Sequence, residues 1–207
     1  MASSFPTYEK EDTAKRKGYR FIVGVDEVGR GCGAGPVVAA AVHVPDEAMV
    51  ELVGKVDDSK KLSARKRERL YDNIMRTCSV GFGDVGAETI DRVNILEATK
   101  MAMIEALGYL PKTDYVLVDG TVDLSRLTMC RCEQVIKGDS ISISIAAASV
   151  VAKVVRDRIM DDLHKEYPMY GWDKNRSYLT KQHVEALEKY GLTPHHRKTF
   201  GICRDYV

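Results

Sequence analysis

No stretch of this 207-residue sequence is long and apolar enough to cross a bilayer. The nearest candidate, Ile141 to Val155, is interrupted by Ser142, Ser144, Ser149 and Lys153. An excess of charge is missing too: 31 Lys and Arg face 30 Asp and Glu, a formal net charge of +1. A protein that grips nucleic acid with its whole surface is more basic, so any such contact belongs to a local patch. The segment Met1 to Gly18 alternates acids and bases without an apolar core and does not read as a secretory signal. Five cysteines, an odd number without finger-like spacing, fit a reducing compartment, and the expected location is cytoplasmic. Repeats, low-complexity tracts and Pro/Gly/Ser linkers are absent. The chain therefore reads as one domain over residues 19–207 behind a charged arm, residues 1–18. What is present is globular: 44% hydrophobic and 29% charged residues are enough to bury a core, which excludes a disordered chain.

Apolar runs and turn residues outline an α/β order. Arg20 to Val25 reads as a buried strand ending in two carboxylates. The turn Gly29 to Gly35 leads through Pro36 to a second strand, Val37 to Val44, and a third covers Ser79 to Val85. Ser63 is placed to cap a helix carrying Leu70, Tyr71, Ile74, Met75 and Cys78. One helix is expected from Ala87 to Leu110, closed by Pro111. Two later strands, Tyr115 to Val118 and about Met129 to Ile136, alternate with helices. Ala146 to Glu166 reads as an amphipathic helix striped by Val151, Val155, Ile159 and Leu163. Thr180 caps a last helix with Val184, Leu187 and Tyr190 on its apolar face, stopped by Gly191. This order predicts a mixed sheet with helices on its faces, in which sites gather at strand ends.

Asp26, Glu27 and Asp119 stand at predicted strand ends, and Asp139 lies in Lys-Gly-Asp-Ser just before a helix. Neighbouring strand residues point to opposite faces, so Asp26 and Glu27 share a site only where the strand ends or bulges. Four carboxylates without His or Cys suit hard ions such as Mg²⁺ or Mn²⁺. Taken singly, each is also an ordinary turn acid or helix cap.

The run Gly24-Val25-Asp26-Glu27-Val28-Gly29-Arg30-Gly31 followed by Ala34-Gly35-Pro36-Val37-Val38 resembles the opening motif of type 2 ribonuclease H (ribonuclease HII). The likeness continues in Asp58-Ser59-Lys60-Lys61-Leu62-Ser63, Val118-Asp119-Gly120, Lys137-Gly138-Asp139, Ala146-Ala147-Ala148-Ser149 with Ala152-Lys153, and His196-Arg197-Lys198-Thr199-Phe200. The blocks occur in the family's order from about residue 19 to 200. The resemblance implies a ribonuclease H-like fold: a mixed five-stranded sheet flanked by helices. It implies an endonuclease that cleaves the RNA strand of RNA–DNA hybrids and nicks on the 5′ side of ribonucleotides embedded in DNA, leaving 3′-hydroxyl and 5′-phosphate ends. Asp26, Glu27, Asp119 and Asp139 fall on the family's acidic positions, where two divalent ions, Mg²⁺ or Mn²⁺, bind with substrate. The expected partners are RNA–DNA hybrid and ribonucleotide-containing DNA, with no membrane and a monomeric chain; a replication-clamp partner is left open.

By the same resemblance, Gly29, Arg30 and Gly31 form the loop that reads the ribose 2′-hydroxyl, a group that both donates and accepts. Tyr178 matches the tyrosine that packs on the following deoxyribose, although Arg176-Ser177 precedes it where Lys-Gly is usual. Lys60 is the expected phosphate contact within the basic cluster Lys60, Lys61, Arg65, Lys66, Arg67 and Arg69; the rest of that run also reads as a solvated helix face. Ser149 reads as helix packing and Lys153 as a solvent partner. Cys130 and Cys132 read as small hydrophobes on opposite faces of a strand rather than a zinc site. His195-His196 reads as structural or phosphate-facing, and Tyr170 with Trp172 as packing under the Tyr178 loop. Two other readings stand beside the enzyme: a non-catalytic hybrid-binding module, and a metal nuclease of the same fold acting on another structure such as a DNA junction.

Overall fold

The computed structural model describes residues 5–207, so Met1 to Ser4 of the charged arm lie outside the described residues. One mixed sheet has the strand order β3-β2-β1-β4-β5. Its strands are β1 (Ile22–Val28), β2 (Val37–His43), β3 (Ser79–Val85), β4 (Tyr115–Asp119) and β5 (Arg131–Val135). β1, β2 and β3 are antiparallel neighbours; β1 with β4 and β4 with β5 are parallel. Around them lie α1 (Glu9–Arg16), α2 (Asp46–Leu52), α3 (Ala64–Thr77), α4 (Ala87–Val93), α5 (Ile95–Gly108), α6 (Ile143–Glu166), α7 (Trp172–Asn175) and α8 (Lys181–Tyr190). Among the described residues no helix is long and apolar enough to cross a membrane.

The sheet is covered on both faces, which is why β2 is an unbroken Val/Ala run. Val37, Ala39 and Ala41 join Ala98, Ala102, Met103 and Ala106 of α5 on one side. Ala40 and Val42 join Leu70 and Ile74 of α3 and the start of α6 on the other. α6 lies directly on β1: a Cβ added at Gly24 would stand 2.2 Å from the Ser144 carbonyl carbon. That close approach seats the start of α6 beside the strand that carries Asp26 and Glu27.

Several elements differ from the sequence reading. The helix expected over Ala87 to Leu110 is two helices, because Asn94 takes a left-handed φ of 70°. The Asn94 side chain then caps α5, its Oδ1 accepting from the N–H groups of Leu96 at 2.9 Å and Glu97 at 3.2 Å. α6 begins at Ile143, and every residue from Ile143 to Ala152 is buried, so its first half has no polar face. Beyond Ala152 the buried residues are Val154, Arg156 and Met160, while Val155, Ile159 and Leu163 of the expected stripe are only partly buried. α8 buries His183, Ala186 and Leu187 and leaves Tyr190 half-exposed, so its inner face is rotated from the predicted one. The charged stretch before Gly18 contains α1, whose Glu11 is buried. Glu11 Oε1 accepts from the Ser142 hydroxyl at 2.6 Å and the Ser144 N–H at 3.0 Å. An acid from one helix thereby caps another, and α1 is tied to the start of α6.

Candidate active site

The parallel pairing of β1 with β4 runs from Ile22 opposite Tyr115 to Val25 opposite Val118. The next residue on each strand is a carboxylate, Asp26 and Asp119. Parallel pairing of β4 with β5 sets Asp119 opposite Val135, and the chain turns back through Lys137, held at a left-handed φ of 57°. The Gly138 N–H then donates to Asp119 Oδ1 at 2.7 Å, which fixes Asp139 next to it. Of the two ways Asp26 and Glu27 can share a site, β1 shows no bulge and stays in register with β2 through Val28, while its pairing with β4 ends at Val25. The distortion is carried by the side chain instead, with Asp26 Oδ1 accepting from the Glu27 N–H at 2.7 Å beyond the last residue paired to β4.

These acids sense one another. Burial, with Glu27 and Asp119 beside it, pushes the Asp26 carboxyl well above the usual range. The Ser149 hydroxyl, 3.0 Å from that of Ser59, partly offsets this rise. Burial also raises Glu27, opposed by Arg30 Nη1 at 3.3 Å from Glu27 Oε1. Burial and then Asp119 and Asp58 raise Asp139, opposed by Lys60. Among the described residues no three His, Cys, Asp or Glu side chains close into a ready metal cage. The four acids form a looser cluster, and its chemistry still fits a hard cation. All donors are carboxylate oxygens, Glu27 Oε2 is buried without a partner, and neighbouring acids add to the burial that raises Asp26 and Asp139.

The glycine-rich turn is built over two buried arginines. Arg156 donates to the carbonyls of Pro36 at 3.0 Å, Ala34 at 3.1 Å and Arg176 at 3.1 Å, and to the Ser177 hydroxyl at 2.9 Å. Arg197 donates to the carbonyls of Gly35 at 3.1 Å and Arg30 at 3.0 Å. The Gly33 N–H donates to the Ser177 carbonyl at 2.9 Å, so this turn and the Tyr178 loop form one unit. Tyr178 itself is half-exposed at 52%, with its hydroxyl pKa raised by the neighbouring Cys32 thiol and by burial. Ser177 sits at a left-handed φ of 66°, which explains why glycine suits that position.

Beneath this loop the hydrogen bonds fix both histidine tautomers. Trp172 Nε1–H donates to His183 Nε2 at 3.3 Å, so His183 carries its proton on Nδ1 and donates to the Tyr178 carbonyl at 3.0 Å. His196 Nε2–H donates to the same His183 nitrogen at 3.0 Å, and His196 Nδ1 accepts from the Thr193 N–H at 2.9 Å. Both imidazoles are neutral; burial and His183 lower the His196 pKa to about 3. His196 is therefore structural, and Tyr170 stacks on Trp172 at 5.1 Å in the same cluster, as the sequence suggests.

The basic cluster splits. Lys60 is exposed, and its charge reaches Glu27, Asp139 and Tyr178. Arg67 instead bonds the carbonyls of Ser59 and Leu62 and pairs with Asp157 at 3.4 Å. Lys153, expected to face solvent, pairs with the same Asp157 at 2.6 Å. Cys130 and Cys132 pack against one core cluster rather than on opposite faces, because residues two apart along an extended chain point the same way. Sequence reasoning takes Ser149 as helix packing and Arg197, with Lys198, as a phosphate contact, but Arg197 is buried and spent on the carbonyls of Gly35 and Arg30; it passes over Arg156 and His183. The available signal for Arg156 was its helical spacing, four residues from Ala152 and from Met160 on the buried side of α6.

The ribonuclease HII family model matches residues 23–203. Ribonuclease HII of Bacillus subtilis is 52% identical over 199 residues, covering 95% of this chain and 75% of that protein. Ribonuclease HII of Ruegeria pomeroyi is 48% identical over 196 residues, covering 94% and 82%. The ribonuclease HII solved in complex with PCNA from Archaeoglobus fulgidus superposes with a TM-score of 0.76 at 29% identity, covering 88% of this chain and 96% of that one. The matched span takes in the sheet from Val23 onward, the four acids, the glycine-rich turn and both buried arginines, and on it this chain belongs to the ribonuclease HII family, ribonuclease H enzymes that hydrolyse phosphodiester bonds.

Proposed function

We propose that this ribonuclease H cleaves the RNA strand of RNA–DNA hybrids and nicks DNA on the 5′ side of an embedded ribonucleotide. Asp26, Glu27, Asp119 and Asp139 hold divalent ions, Mg²⁺ or Mn²⁺. When bound there, such ions supply water activation and charge stabilisation at the leaving oxygen. The carboxylates orient these ions and, unneutralised, would repel a phosphate. Water forms the new P–O bond as the bond from phosphorus to the 3′ oxygen breaks, leaving 3′-hydroxyl and 5′-phosphate ends.

The other residues select the bond. Gly29, Arg30 and Gly31 present backbone groups to the ribose, and the half-exposed ring of Tyr178 packs on the following sugar. Lys60 attracts the phosphate next to the acids. One observation carries the reading: the acidic cluster lies beside a turn bonded directly to the Tyr178 loop through Gly33 and Ser177. A hybrid-binding module has no need of four mutually repelling acids. A junction nuclease has no need of the sugar-reading turn.

Incubating the protein and Mg²⁺ with duplexes containing one, four or no ribonucleotides, and with a branched all-DNA substrate, separates these readings. Cleavage 5′ of the single ribonucleotide, with end-labelled products bearing 3′-hydroxyls, is the expected result. Binding without cleavage supports the module, and cutting of all-DNA branches supports the junction nuclease.

A further inference from the structure

Two buried arginines under the glycine-rich turn lack an acidic partner. Neither Arg156 nor Arg197 makes an ion pair among the described residues, and both are almost fully excluded from solvent. Burying two like charges side by side is costly, and their hydrogen bonds run largely to main-chain carbonyls. A fork of fixed planar geometry is suited to aligning peptide groups, a task a flexible ammonium does poorly.

The consequence is clearest at Arg30. Its carbonyl is drawn inward by Arg197 Nη1 at 3.0 Å. In a trans peptide the carbonyl of one residue and the N–H of the next point in opposite directions. The Gly31 N–H is therefore turned outward, and it takes no partner among the described residues. Arg197 also grips the same turn through its own N–H to the Gly33 carbonyl at 2.8 Å and through Nε to Gly35. Arg156 clamps the turn's far end to the Tyr178 loop.

We propose that Arg197, braced by Arg156, is a positioning residue for ribose sensing: it holds the Arg30 carbonyl inward so that the Gly31 N–H faces the substrate as a donor. This rests on the reading that the turn meets the ribose. A donor fixed before substrate arrives costs no reorganisation during reaction. The ribose 2′ oxygen is then recognised at this point as an acceptor, and the inward carbonyl is withheld.

The test compares Arg197→Ala, Arg197→Lys and wild type in single-turnover cleavage of DNA carrying one ribonucleotide, beside duplex affinity and thermal melting. Arg197→Ala is expected to cut the rate by about 10²-fold, the order seen when one positioned donor is lost. Duplex affinity should change far less, and added guanidinium ion should restore part of the rate. Arg197→Lys keeps the charge without the fork and should stay folded while remaining slow. The proposal is overturned if folded Arg197→Ala keeps the wild-type rate, if guanidinium restores nothing, or if Arg197→Lys is fully active. Should wild type cut all-DNA duplexes equally well, the ribose-reading function itself fails, whatever the variants do.

Discussion

Two glycines flank Arg30, and the fold needs only one of them. Gly29 has φ +93°, and an added Cβ would stand 2.2 Å from Arg156 Nε. Gly29→Ala should therefore destabilise the protein by about 2 kcal/mol or more, through left-handed strain and displacement of the arginine clamp. At Gly31 an added Cβ meets nothing within 4 Å, so the fold tolerates alanine there. A substrate backbone approaching that point does not. Gly31→Ala is expected to keep the melting temperature while slowing cleavage at a ribonucleotide; unchanged kinetics would show that the sugar does not come close. Tyr178 offers the matching test on the other side of the bond. Its exposed ring contributes little to the core, so Tyr178→Ala should leave melting nearly unchanged and reduce single-turnover cleavage more than binding. Tyr178→Phe should retain part of the rate, because stacking survives without the hydroxyl.

The Tyr178 loop shows what elements add to residues. Its carbonyl is held by neutral His183, which is held in turn by Trp172 and neutral His196. Burial lowers the His196 pKa to about 3, below its unfolded value. The unfolded chain thus binds the proton more readily, so this stability is complete above the unfolded pKa of about 6.5 and is lost as pH falls from there toward 3. Melting followed through that window should drop steeply for wild type. His196→Asn, which cannot titrate, should melt lower at neutral pH and show a shallower slope. Ser177→Gly exchanges relief of a left-handed φ for loss of the hydroxyl bonds to Arg156 and Ala34, both about 1 kcal/mol, and should be nearly neutral in melting and rate. Local patterning made the strands legible, because apolar runs, glycine turns and the Ser63 and Thr180 caps are encoded in neighbouring residues. The four acids were legible for the same reason, each standing at a strand end or turn. What stayed hidden depends on distant partners. Asn94 breaks a helix by one backbone angle. Glu11 is buried by serines more than 130 positions away, and Arg156 and Arg197 gain their role only once the turn folds over them.

At the scale of the whole molecule, a net charge of +1 conceals a local imbalance. Asp26 and Asp139 are buried or half-buried beside other acids, and their pKa values are raised first by burial and then by those neighbouring charges, so folding holds them against both desolvation and repulsion. Two measurements should then move in opposite directions. Without divalent ions, Asp26→Asn removes a buried like charge and should melt at the wild-type temperature or above it. With Mg²⁺ or Mn²⁺ added, wild type should gain stability by mass action, about 2.7 kcal/mol when the ion is a hundredfold above its dissociation constant. For a chain of this size that corresponds to a rise of roughly 5–11 °C. Asp26→Asn and Asp119→Asn should each lose much of that rise together with cleavage, while binding to duplex in the absence of divalent ions stays near wild type. A control with Ca²⁺ separates occupancy from chemistry, since a larger ion can relieve repulsion without supporting turnover. If Mg²⁺ and Mn²⁺ leave wild-type melting unchanged at concentrations that support cleavage, ion binding does not relieve strain among these acids. If Asp119→Asn cleaves normally, the acidic cluster is not where the phosphodiester is cut.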